Sequence, residues 1–159
     1  MVRAFLIICM CFSATAFAAG SGSDSGRSDS GYQQSKTSQQ SYLMKTATKH
    51  ISDKHYQRAF DLLTHQVRIS PDDADGWNLL GFSARKIGDF DTAKSAYSTA
   101  LSLDPNHTRA MEYMGEMYLS LNQLAEAERL LNALNRLCDV NCHDRDMLAS
   151  AIQTYKQKH

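Results

Sequence analysis

A shift of 34 residues lays the chain onto itself. It places Leu43 on Trp77 and Met111, Ala47 on Gly81 and Gly115, and Tyr56 on Phe90 and Leu124. It also aligns Ala59, Ala93 and Ala127, then Leu63, Tyr97 and Leu131, then Ile69, Leu103 and Leu137, and sets Pro71 on Pro105. Each aligned set is apolar or small. The period therefore marks one supersecondary unit used three times, and each unit needs a neighbour to bury its apolar face.

A period of 34 with these residue types resembles the tetratricopeptide repeat. Residues 74–107 carry the family pattern most fully, with Trp77, Leu80, Gly81, Ala93, Tyr97, Ala100 and Pro105. Residues 108–141 keep Met111, Met114, Gly115, Tyr118, Ala127 and Leu131, but Asp139 stands at the closing proline. Residues 40–73 are the least regular, with Thr46 and Gln66 at usually apolar positions. The resemblance implies an all-α superhelix: three helix-turn-helix repeats over residues 42–143, closed by a capping helix over 144–159. The helices are expected near 42–53 and 56–69, 74–87 and 90–103, 109–121 and 124–137. Small residues at Ala47, Gly81 and Gly115 admit a close partner helix, which offers Ala59, Ala93 and Ala127 at the crossing. Gly88-Asp89 reads as a helix stop followed by a start, Asn122 takes the same place one repeat later, and Asp104-Pro105-Asn106 closes one unit and caps the next.

Both ends differ from the repeats. Arg3, the apolar run of residues 4–12 and Ala16-Phe17-Ala18 predict a cleaved signal peptide over residues 1–18, and so an exported, periplasmic protein. Residues 19–41 are rich in Ser, Gly and Gln and predict an unstructured linker. Past Asp144, the residues Met147, Leu148, Ala151, Ile152 and Tyr155 form one apolar stripe, as a capping helix requires. Seventeen basic residues against 17 acidic ones give no field that would draw nucleic acid. No apolar stretch in the remaining chain is long enough for stable membrane insertion.

Cys138-Asp139-Val140-Asn141-Cys142-His143 is read first as a disulfide between Cys138 and Cys142 that pins the third repeat to the terminal helix. It is also one residue longer than a c-type haem attachment motif, so a haem or metal carrier stands as an alternative. Met111, Met114 and Met117 read as core packing rather than a copper string. The six histidines show no ligand spacing. No phosphate loop, nucleophile elbow or other catalytic constellation appears, so no enzyme activity, cofactor or metal is expected.

The resemblance implies that the first helix of each pair lines a concave groove, which takes an extended peptide or a partner helix. Its lining would include Met44, Thr48, Asp75, Asn78, Phe82, Arg85, Arg109, Glu112 and Glu116. Asn78, Phe82, Arg85, Arg109, Glu112 and Glu116 are the candidate partner-binding residues. Phe82 is in register with Thr48 and Glu116, so packing within a repeat requires no aromatic there. It is either an interface anchor or a contact to the next repeat. Met44 replaces the first lysine of the clamp by which some members hold acidic chaperone tails. The sequence thus reads as a protein-binding adaptor similar to small exported tetratricopeptide proteins of Gram-negative bacteria. A factor that handles apocytochrome during c-type cytochrome maturation is the second reading.

Overall fold

A computed structural model describes residues 29–138 and 140–159. The expected signal segment, residues 19–28 of the expected linker, and Asp139 lie outside the described residues. Seven helices follow one another: α1 (Asp29–Ser52), α2 (Tyr56–Ile69), α3 (Ala74–Ile87), α4 (Phe90–Leu103), α5 (Thr108–Ser120), α6 (Leu124–Leu137) and α7 (His143–Lys158). Among the described residues there is no strand. Helix α1 touches α3, α3 touches α5 and α5 touches α7, so the first helix of each pair and the closing helix form one inner row. Helices α2, α4 and α6 back that row. The all-α repeat architecture and its closing helix are those expected from the period.

The N-terminal boundary differs. Helix α1 begins at Asp29, so residues 29–41 of the expected linker are helical. Residues 37–42 are exposed apart from half-buried Gln40, so burial does not drive the helix over that stretch. A helix already nucleated by the first repeat gains one hydrogen bond per added residue, and the Gln and Lys residues here accept the helical backbone readily.

The turns repeat with the period. Lys54, Gly88 and Asn122 lie 34 residues apart, and all three have a left-handed backbone, with φ of 60°, 88° and 57°. Glycine and asparagine accept this conformation, which made the last two legible; lysine gives no such signal. The helix starts repeat as well. The Asp73 carboxylate accepts the Gly76 N–H at 3.0 Å and also holds the Gln66 amide. One period later the cap of α5 is His107, whose Nδ1 accepts the Ala110 N–H at 3.2 Å. Asp104 closes the preceding turn instead, accepting the Asn106 N–H at 2.9 Å.

Two apolar clusters run through the stack. One holds Ala47, Ala59, Leu63, Val67, Leu80 and Ala96, and the other is built on Tyr97, Met111, Met114, Met117, Leu134 and Leu148. Phe60 packs against both and joins them. Met111, Met114 and Met117 are all buried in the core. The glycine crossings differ in detail from the expectation. A Cβ on Gly81 would stand 2.7 Å from the Tyr97 ring, and one on Gly115 would stand 2.5 Å from a Leu148 methyl. The space beside Gly81 is filled by the bulky Tyr97 of α4, and that beside Gly115 by a residue of the closing helix.

Helix α6 ends at Leu137, the chain turns through Asn141 at φ 65°, and α7 starts at His143. The Cα atoms of Cys138 and Cys142 lie 5.7 Å apart across this break, with their sulfurs at bonding distance. Leu148 and Ile152 face inward from α7, whereas Met147 is 46% exposed.

Candidate functional site

The inner row carries the groove because α1, α3 and α5 present one face each while their apolar backs are consumed by α2, α4 and α6. Three hollows open along it among the described residues, and two of them together hold the candidate residues. The wider, of about 740 Å³, is lined among others by Met44, Asp72, Asp75, Asn78 and His107. The narrower, of about 140 Å³, is lined by Phe82, Arg85, Lys86, Glu112, Glu116 and Met147 among others. Arg109, Tyr113 and Asp144 belong to both, which makes the two one continuous surface. The six candidate residues therefore fall on this surface, with Asn78 in the wider hollow and Phe82, Arg85, Glu112 and Glu116 in the narrower. Thr48 lines neither hollow among its described neighbours; its hydroxyl donates to the Met44 carbonyl at 2.8 Å.

Phe82 is half-buried rather than freely exposed. Its ring centroid lies 4.7 Å from that of Tyr113 and 6.1 Å from that of Tyr56, so it spans three repeats. The Arg85 guanidinium sits 5.5 Å and the Lys86 ammonium 5.2 Å from the Phe82 centroid. Cations over an aromatic face gain from the ring quadrupole, so this is an aromatic shelf with a basic rim. Arg85 is the fixed member. Its side chain is 9% exposed, and Nη2 donates to the Glu116 carboxylate at 2.7 Å, tying α3 to α5.

Glu112 sits beneath this pair, 3% exposed. Burial, and then the neighbouring Glu116 carboxylate, push its acid up to about 7, with Arg85 acting the other way. The folded state therefore prefers Glu112 protonated. That preference contributes stability in full below the ordinary value of 4.5, and the contribution is lost as pH rises through about 7. Glu112→Gln keeps a neutral side chain at every pH. It is expected to raise stability at pH 8 by ~1–3 kcal/mol and to change it little at pH 4.5. Urea unfolding of both proteins at the two pH values checks this, and an equal effect at both contradicts it.

Tyr113, His107 and Asp144 are among the lining residues that the sequence did not single out. Tyr113 is in register with Leu79, so it reads as an ordinary apolar position. His107 reads as part of a turn, and here its Nε2 lies 3.2 Å from the Asp75 carboxylate. Asp144 reads as the acidic cap of the closing helix. Cys142 holds that place without a side-chain cap, and the Asp144 oxygens instead accept the Thr108 hydroxyl at 2.7 Å and Arg109 Nε at 3.0 Å. A helix that begins at His143 turns Asp144 toward α5. Among the described residues no three His, Cys, Asp or Glu side chains converge as metal ligands, and no helix is long and apolar enough to cross a membrane.

The tetratricopeptide-repeat family profile matches residues 84–137. A TPR repeat-containing protein of Rhizobium etli is 27% identical over 103 residues, covering 65% of this chain and 49% of that protein. The chain spans no more than about half the length of the first curated relatives it matches. Among solved structures, the TPR2B domain of yeast Sti1, in a complex with pHsp70, superimposes with a TM-score of 0.70 at 18% identity. That match covers 76% of this chain and 98% of the domain. The Yersinia enterocolitica type III secretion chaperone SycD, in complex with a peptide of the translocator YopD, gives 0.66 at 21% identity, covering 74% and 92%. At such identities the likeness shows the fold.

Proposed function

We propose that this chain, which matches the tetratricopeptide-repeat profile over residues 84–137 and shares that fold, is a non-catalytic adaptor that holds a segment of another protein in its concave groove. The carrying observation is the shelf of Phe82 and Tyr113 with Arg85 and Lys86 over it. Thr48 and Glu116 occupy the Phe82 position in the other repeats, so packing within a repeat requires no aromatic there, while the shelf offers apolar area with a polar rim. Two structurally similar proteins are described as bound to a protein or peptide, Sti1 TPR2B with pHsp70 and SycD with a YopD peptide, which supports the same reading. Lys86→Glu alters an exposed residue and should leave melting unchanged. Phe82→Ala removes a half-buried ring and should cost ~1–2 kcal/mol of stability. Both are expected to reduce retention of the partner roughly tenfold or more in pull-downs. Full retention by both variants removes the shelf from the binding surface.

The same reading places the protein outside the cytoplasm, in a periplasm, with Cys138 and Cys142 joined. The support is the apolar N-terminal segment ending in Ala16-Phe17-Ala18, and an interruption between α6 and α7 that sets the Cα atoms of Cys138 and Cys142 5.7 Å apart, within reach of a disulfide in a compartment where disulfides persist. The mass of the protein recovered from the periplasm without reductant should equal that of the chain cleaved after Ala18 or Ala19, less two hydrogens. An uncleaved chain, or two free thiols, overturns this placement.

A further inference from the structure

The wider hollow carries a charge that repeat packing does not require. Its walls hold Asp72, Asp73, Asp75, Asp104 and Asp144 against one arginine, Arg109. Arg109 is engaged by Asp144 at 3.0 Å, so its charge is offset within the wall. Asp73 and Asp104 accept backbone N–H groups, which bring no counter-charge. Asp75 has an 80% exposed side chain, and Asp72 is exposed beside it.

The independent observation is Asn78. It lines the same hollow, is 2% exposed, and its buried Oδ1 has no hydrogen-bond partner in the fold. Buried polar atoms are nearly always paired, so an orphan acceptor in the wall of a groove points to a donor supplied by the occupant. An extended peptide brings such a donor in its backbone N–H. An acidic segment would meet carboxylates of its own sign, whereas a basic one meets complementary charge.

We propose that the groove takes an extended segment of a partner protein that bears lysine or arginine, with a backbone N–H bonded to Asn78 and a cationic side chain at the Asp72–Asp75 edge. The inference rests on the groove reading above and gives its partner a chemistry.

Two short fluorescein-labelled peptides, one alternating Lys with Ala and the other Glu with Ala, are titrated with the full chain and followed by anisotropy. The Lys peptide is expected to bind about tenfold or more tightly than the Glu peptide, with an affinity that falls as salt is raised. The pair Asp72→Asn with Asp75→Asn should weaken it at least roughly threefold. Asn78→Ala should weaken it too, with circular dichroism confirming that the variant folds. Equal or tighter binding of the Glu peptide, or no binding of either up to about 1 mM, overturns the proposal. So does self-association of the chain that blocks both peptides, since the occupant is then a second copy. A Glu peptide lost on Phe82→Ala leaves the groove standing and removes only its basic partner. Lys-peptide binding that ignores changes at Phe82, Asp75 and Asn78 alike removes the groove itself.

Discussion

Gly81→Leu should unfold the middle repeat at urea concentrations where the parent protein is intact, at a cost of ~3 kcal/mol or more. The position has no room for a side chain. Even the Cβ would stand 2.7 Å from Cδ1 and Cε1 of Tyr97. That ring is itself fully buried, so it has nowhere to swing. Relief requires α3 and α4 to move apart, which loosens the contact of Tyr97 with the Met111 and Met117 cluster. Gly88→Ala is the matched control. Nothing lies within 4 Å of a Cβ there, and only the left-handed backbone, at φ 88°, opposes the change. Its cost should be near 1 kcal/mol. Urea midpoints for the two variants decide the point, and a Gly81→Leu protein no less stable than Gly88→Ala contradicts the crossing described here.

Deleting residues 143–159 should cost as much or more. Leu148 is fully buried and Ile152 is 5% exposed, and both belong to the larger cluster with Met114, Met117 and Leu134. Burying each such side chain contributes ~1.5–3 kcal/mol, so losing the two removes ~3–6 kcal/mol from a total of about 5–15 in a domain. Polar ties go with them: Asp144 to Thr108 and Arg109, Lys156 to Glu128, and Tyr155 to Asn122. The face of α5 and α6 left behind is apolar and continuous, and such a patch invites association. The shortened protein should melt at least ~10 °C lower and elute as aggregates on gel filtration. A monomer with an unchanged melt is incompatible with α7 as the closing element.

The repeated parts of this molecule were readable because register repeats the same physical demand three times. A small residue at 47, 81 and 115 means a crossing, and Gly88 and Asn122 mean a left-handed turn. Lys54 meets the same turn demand without a residue type that announces it. What register cannot carry is the contact that belongs to one place alone. Asp144 reaches Thr108 and Arg109 because α7 starts at His143, outside the period. Leu148 meets Gly115 for the same reason. Tyr113 hid because its counterpart Leu79 makes the position look like ordinary packing, and only its neighbours Phe82 and Arg109 turn it into groove wall. The extension of α1 to Asp29 escaped notice because residues 29–41 are rich in Ser and Gln and hold no apolar period, which is the signal that reports a packed helix.

The inner row of helices is proposed as the binding surface. Its most direct test places a photo-crosslinking amino acid in place of exposed Lys86, on the groove, and separately in place of exposed Asp91, on the backing helix α4. After irradiation in cells, position 86 should give a discrete cross-linked partner that disappears in the Phe82→Ala background, and position 91 should give none. A partner captured at position 91 but not at 86 would contradict the account and move the binding surface to the outer helices.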